Sequence, residues 1–142
     1  MTRELANPLR DPRATVDYLM RLPDLSPADR PSLEMTELAV RAILQPAAPE
    51  WIATRILALL GTYPDKPQPD GVREMQFEDW MTALEGHPQW AIENACRWWK
   101  SHDNPDRRWR PVEGDIVARV RKEVRGVPVL MRFLRTLEEL GK

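Results

Sequence analysis

The sequence predicts an all-α fold, a compact bundle of five to seven short helices. Apolar residues recur at three- and four-residue spacing in segment after segment, and few stretches alternate with period two. Fourteen prolines fall mostly between the periodic segments, the pattern of short helices with stiff connections.

The elements follow in order. Residues 1–13, ending in "NPLRDP", read as extended or disordered. A short helix is expected over 14–22, stopped by Pro23. Ser26-Pro27 offers a cap with proline at the first helical position, and Pro31-Ser32 restarts the chain. From Leu33, the residues Leu38, Ala39, Ala42 and Ile43 are expected to make one buried face, ended by Pro46 and Pro49. A helix from about Glu50 carries Ile52, Ile56, Leu59 and Leu60 as a stripe. The segment 61–72 is rich in proline and glycine and reads as a loop. It would divide two halves if each had core enough to stand alone, and short halves do not. Phe77, Trp80, Met81 and Leu84 share a helical face closed by Gly86. His87-Pro88 opens the next helix, with Ile92, Ala95, Cys96 and Trp99 inward. "SHDNPDRR" is a polar loop, and Pro111 starts a helix with Ile116, Val117, Val120 and Val124 inward. Gly126 and Pro128 break it, and a last amphipathic helix carries Leu130, Phe133, Leu134, Leu137 and Leu140. The expected organisation is one helical domain over 14–142. Its core is built round Trp80, Trp99, Ile56, Leu60, Leu84, Ile92, Val120 and Leu134.

A chain of 142 residues suffices for such a core. The single cysteine, Cys96, excludes an internal disulfide and a cysteine cluster for zinc. Without an N-terminal apolar run or a membrane-length stretch, the expected location is the cytoplasm. The net charge of −1 hides an asymmetry. Residues 1–96 carry 9 Lys/Arg against 15 Asp/Glu, whereas residues 97–125 carry 9 against 5.

That charge switch falls inside a tryptophan cluster. Five of the six tryptophans lie between Trp80 and Trp109. Helical periodicity assigns Trp80 and Trp99 to the core. Trp98 lies on the flank of its helix and either caps the core or meets a partner. Trp90 lies nearly opposite the apolar stripe, where it packs under another segment or forms a binding hot spot. Trp109, between Arg108 and Arg110, reads as a loop anchor before the Pro111 helix. Indoles and guanidinium groups dominate binding hot spots. The expected partner surface is therefore Trp90, Arg97, Trp98, Arg107, Arg108 and Arg110.

The catalytic inventory is poor. His87 precedes a helix-opening proline, His102 sits in a polar loop, and neither has an i, i+4 partner for a metal. Cys96 on an apolar stripe is an inert thiol. Glu78-Asp79 and Glu138-Glu139 are solvated faces, with no third group nearby to make acid–base chemistry of them. No phosphate-binding glycine loop or nucleophile elbow is present. The expectation is a protein that is not an enzyme and needs no metal or cofactor. Nucleic-acid binding is the alternative. The nine cations of 97–125 would pair with phosphates and exposed indoles would stack on bases.

The stretch 56–116 has a layout of its own: "ILALLGTYP", a variable loop, "FEDWMTALEGHPQWAIENACRWW", then "RWRPVEGDI". It resembles the loader-and-inhibitor family of small phage proteins that act on the replicative helicase. The matching places are Tyr63-Pro64, Trp80 with Leu84, the Pro88 helix, and Trp109 with Pro111. The resemblance implies a helical unit that acts without catalysis, by binding the helicase and controlling its delivery or blocking it. This chain departs from the family in some fifty additional N-terminal residues and in its final amphipathic helix. The expectation is thus a monomeric protein of phage or mobile-element origin that binds a bacterial replication protein, the replicative helicase foremost. An inhibitor of a host or defence complex, such as an anti-CRISPR, has the same inventory.

Overall fold

A computed structural model describes residues 32–125, together with 14, 15, 17, 18, 21, 24–26, 28, 132, 135, 136 and 139. Its fold is all-α. Five helices are defined among these residues: α1 (Leu33–Leu44), α2 (Pro49–Leu60), α3 (Val72–Leu84), α4 (Gln89–Lys100) and α5 (Glu113–Glu123). Residues 14, 15, 17 and 18 are also helical, as are 132, 135, 136 and 139. The apolar face expected on Leu130, Phe133, Leu134, Leu137 and Leu140 lies outside the described residues, as do Pro23 and Pro27. No helix among the described residues is long and apolar enough to cross a membrane.

The chain divides into two units, Pro46–Val124 and the flanking Met1–Gln45 with Arg125–Lys142. The proline-rich segment 61–71 lies within the first of these and separates nothing.

In the flanking unit, α1 is capped by Ser32, whose hydroxyl accepts the Met35 N–H at 3.1 Å. Its buried stripe is Thr36, Ala39, Val40 and Ile43. The face expected from sequence was rotated from this one. Leu38 is 64% exposed, and Val40 takes the inward place. Both registers satisfy helical spacing, so periodicity alone did not choose between them.

The 46–124 unit holds the candidate functional surface. Within it α4 packs on α5 and α2, α3 on α5, and α2 on α3. Ile52, Ile56, Leu59, Trp80, Leu84, Ile92, Trp99, Ile116 and Val120 are buried at its centre. Leu60, expected in the core, is half-buried at the edge. Two helix starts are tied to each other. The Ala47 N–H donates to the His87 carbonyl at 2.9 Å, and Pro46 and Pro88 form an isolated antiparallel bridge. Pro88, rather than His87, takes the cap position of α4. Pro49 supplies the first residue of α2, where its missing N–H costs nothing.

Across the α2–α4 contact, Glu93 lies between two arginines. Its Oε1 accepts from Arg97 Nε at 2.8 Å. Its Oε2 lies 2.7 Å from the buried Arg55 Nε, off line for a hydrogen bond, so that contact is electrostatic. At the start of α5, the Asp115 carboxylate accepts the Val112 N–H at 2.9 Å. This is one half of a capping box, because valine has no oxygen to return the bond.

Gly71 opens α3 and Gly86 follows it, with φ of 83° and 84°. A Cβ at Gly86 would meet nothing within 4 Å, so the demand for glycine there is purely conformational. Replacing Gly86 by Ala is therefore expected to cost about 1–2 kcal/mol. Urea denaturation followed by tryptophan fluorescence checks this, and an unchanged midpoint would refute it.

Candidate functional site

Residues 101–112 connect α4 to α5, and they are an ordered structure. Asn104 organises the turn. Its side chain is buried, and its Nδ2 donates to the Trp99 carbonyl at 2.9 Å. Its Oδ1 accepts the Asp106 N–H at 3.0 Å, and its carbonyl accepts the Arg107 N–H at 3.3 Å. The last carbonyls of a helix lack intrahelical donors. Asn104 supplies one, and Ser101 supplies Trp98 with its N–H at 3.0 Å and its hydroxyl at 2.7 Å.

Two buried aromatic side chains hold the far side of this loop. Tyr63 donates its hydroxyl to the Arg107 carbonyl at 2.8 Å. Trp99 donates its indole N–H to the Trp109 carbonyl at 3.0 Å. Burial raises the Tyr63 phenol above its ordinary pKa. Lys100 closes the edge, with its ammonium 4.3 Å above the Tyr63 ring and 2.8 Å from Thr62 Oγ1.

The outer surface of this arrangement is a groove of about 520 Å3. The end of α2, the 61–71 loop, α3 and residues 110–113 form its walls. Trp80, Phe77 and Leu60 contribute apolar surface. Leu57 and Val112 flank it and are 61% and 59% exposed. Asp65 sits at the rim between two guanidinium groups, paired with Arg73 and 3.8 Å from Arg110. Glu113 belongs to the 110–113 wall. Directly before that wall, Trp109 is 70% exposed, the most exposed large apolar side chain among the described residues.

The six residues expected to form a partner surface do not form one patch. Trp90 is buried and unavailable to a partner. The correction has a simple cause: α4 is covered by α2 and α5, so burial extends beyond a single stripe. Trp98 caps the core. It packs edge-on against Trp99 at 6.2 Å between centroids, and the Arg119 guanidinium lies 4.5 Å above its ring. Arg97 is exposed but paired with Glu93. Arg107 is half-buried, and its guanidinium reaches the Asn104 carbonyl at 3.4 Å. Arg108 and Arg110 remain at the surface, on either side of Trp109. Trp109 anchors the loop only through its backbone, and the expectation that its side chain served as the anchor is corrected. The groove went unseen in the sequence because residues 110–113 close it from far along the chain against the 57–80 stretch.

The basic stretch 97–125 is likewise partly neutralised in place. Arg97, Arg110 and Arg119 pair with Glu93, Asp65 and Glu123. Cys96 is buried, and burial pushes its thiol up to about 11. Burial also lowers His87, and nearby Arg121 lowers it further. Among the described residues no three His, Cys, Asp or Glu side chains converge to hold a metal ion.

No protein-family model matches the chain, and neither the curated proteins nor the solved structures contain a significant match to it.

Two outcomes follow from this geometry. Asn104→Ala leaves the Trp99 carbonyl without its side-chain donor and should cost about 1–3 kcal/mol in urea denaturation. Loss of less than a few tenths would show that the loop is not built on this residue. The Cys96 thiol should resist a disulfide reagent at pH 8 in the native protein and react fully once unfolded. Rapid native modification would contradict its burial.

Proposed function

We propose that this chain is a non-enzymatic protein-binding module of phage or mobile-element origin. Its partner is a bacterial replication protein, the replicative helicase, which it loads or inhibits. One observation carries the binding role: exposed Leu57 and Val112 line one groove with Arg110, and exposed Arg108 and Trp109 directly precede its 110–113 wall in the chain. Apolar side chains that share a face with guanidinium groups are what interface centres are made of. The choice of helicase rests on the resemblance of residues 56–116 to the phage loader-and-inhibitor proteins. An inhibitor of a defence complex would use the same face on a different partner.

Direct DNA binding has less support. The paired state of Arg97, Arg110 and Arg119 leaves fewer cations for phosphates. Asp65 and Glu113 add negative charge to the groove, which repels phosphates.

The test is binding of the full chain to a purified bacterial replicative helicase, measured by surface plasmon resonance. Saturable binding is expected. Leu57→Glu should weaken it by about 30-fold or more, as for a residue at an interface centre. A chain that ignores helicase but binds single-stranded DNA, with affinity falling steeply as salt rises, would overturn the proposal in favour of the nucleic-acid reading.

A further inference from the structure

The segment 64–68 forms one wall of the groove, through Asp65 and Gln68. Every residue in it is exposed. Pro64 and Pro67 have no N–H to donate, and among the described residues the backbone of 64–68 makes no hydrogen bond. Its two ends are fixed. Tyr63 is buried, with its hydroxyl on the Arg107 carbonyl, and the Pro69 carbonyl accepts the Val72 N–H at 3.2 Å. The chain between them is a strap, anchored at both ends and held along its length by one side chain.

That side chain is Asp65. Its Oδ2 is paired with Arg73 of α3, and its Oδ1 lies 3.8 Å from Arg110 Nη1. Arg73 and Arg110 line the groove on two different walls. One carboxylate therefore ties the strap both to α3 and to the 110–113 wall. The three side chains are 58%, 61% and 41% exposed, so water and salt compete for each pair. An exposed pair of this kind shifts an equilibrium by roughly fivefold at most. A stiff strap needs no more. Its prolines fix φ whether the strap is held or free, so little backbone freedom is lost when it closes.

We infer that Asp65 is an electrostatic latch. The strap closes against α3 and the 110–113 wall while Asp65 is paired, and it comes away when the pairs are screened or removed. Its position sets the width of the groove that Leu60, Phe77 and Trp80 line. The bearing of the latch on a partner rests on the reading of this groove as an interface. The latch itself is a property of the free chain and is tested without a partner, so the two readings fail separately.

Backbone 15N relaxation on the full chain, which reads picosecond–nanosecond motion, decides it at the Asp65, Lys66 and Gln68 amides. At low salt the wild-type order parameters should lie near the rigid-backbone value of about 0.85, and Asp65→Ala should lower them to about 0.6 or below. At about 1 M salt, where the screening length is about 3 Å, the wild type should loosen in the same way and Asp65→Ala should not change. Asp65 is mostly exposed, so its truncation leaves no core cavity, and circular dichroism verifies the fold. Wild-type amides already mobile at low salt would overturn the inference. So would a strap that stays rigid in Asp65→Ala, or a wild-type mobility that ignores salt.

Discussion

The Trp99 indole is buried among the helices of the 46–124 unit, and its N–H must still find an acceptor. A buried donor left unpaired costs about 1–3 kcal/mol, a large share of a small unit's stability. The acceptor is the Trp109 carbonyl, ten residues on in a loop. To bring that carbonyl inward the chain must reverse after α4. Asn104 makes the reversal by bonding the Trp99 carbonyl and the following turn. Tyr63 fixes the next exposed stretch through Arg107. With the Trp109 carbonyl turned inward, its side chain stands 70% exposed. The wall at Arg110, Pro111 and Val112 follows directly from that geometry, and Pro111 is itself buried. One hydrogen-bonding demand in the core therefore fixes both the exposed indole and one side of the groove.

Electrostatics changed more between sequence and structure than any other property. As a count, 97–125 is basic and 1–96 acidic. In space the two compositions meet. Glu93, which belongs to the acidic stretch, neutralises Arg97 and Arg55, and Asp65 lies between Arg73 and Arg110. Arg119 is claimed twice, by Glu123 and by the face of Trp98. The exposed pairs among these, such as Arg73–Asp65, contribute little to stability. Their consequence is that Arg97, Arg110 and Arg119 are already paired, which a chain-order charge count cannot reveal.

Helical periodicity reads a residue's angle about one axis, and that explains what was legible. Trp80, Trp99, Ile56, Leu84, Ile92 and Val120 lie on single stripes and are buried as expected. Trp90 defeats the method because α4 is covered on two sides, so a residue opposite the main stripe still finds a neighbour. Leu38 and Val40 defeat it because two overlapping stripes fit α1 equally well. Trp109 lies in no helix and has no angle to read. Asn104-Pro105 was a visible turn signal, and an indole on a core stripe was a visible demand for an acceptor. Together they pointed to an ordered loop, but not to which side chain it would turn outward.

The same architecture separates stability from recognition. Tyr63, Trp99 and Asn104 hold the loop from within and are buried, so changes there act first on folding. Trp109, Val112 and Leu57 are mostly exposed and stabilise little, so changes there act on association. Ordering a backbone residue costs about 1–2 kcal/mol, and folding meets that cost where hydrogen bonds hold the loop backbone, at Asn104, Asp106, Arg107, Trp109 and Val112. A partner that engages this face has mainly side-chain rotamers left to fix. Tryptophan, with two rotatable angles, loses few of them for the area it buries. An exposed indole on a mobile loop would bind weakly, because its ordering would offset its burial. On a loop fixed by its own core, the same side chain retains the full benefit of being buried by something else.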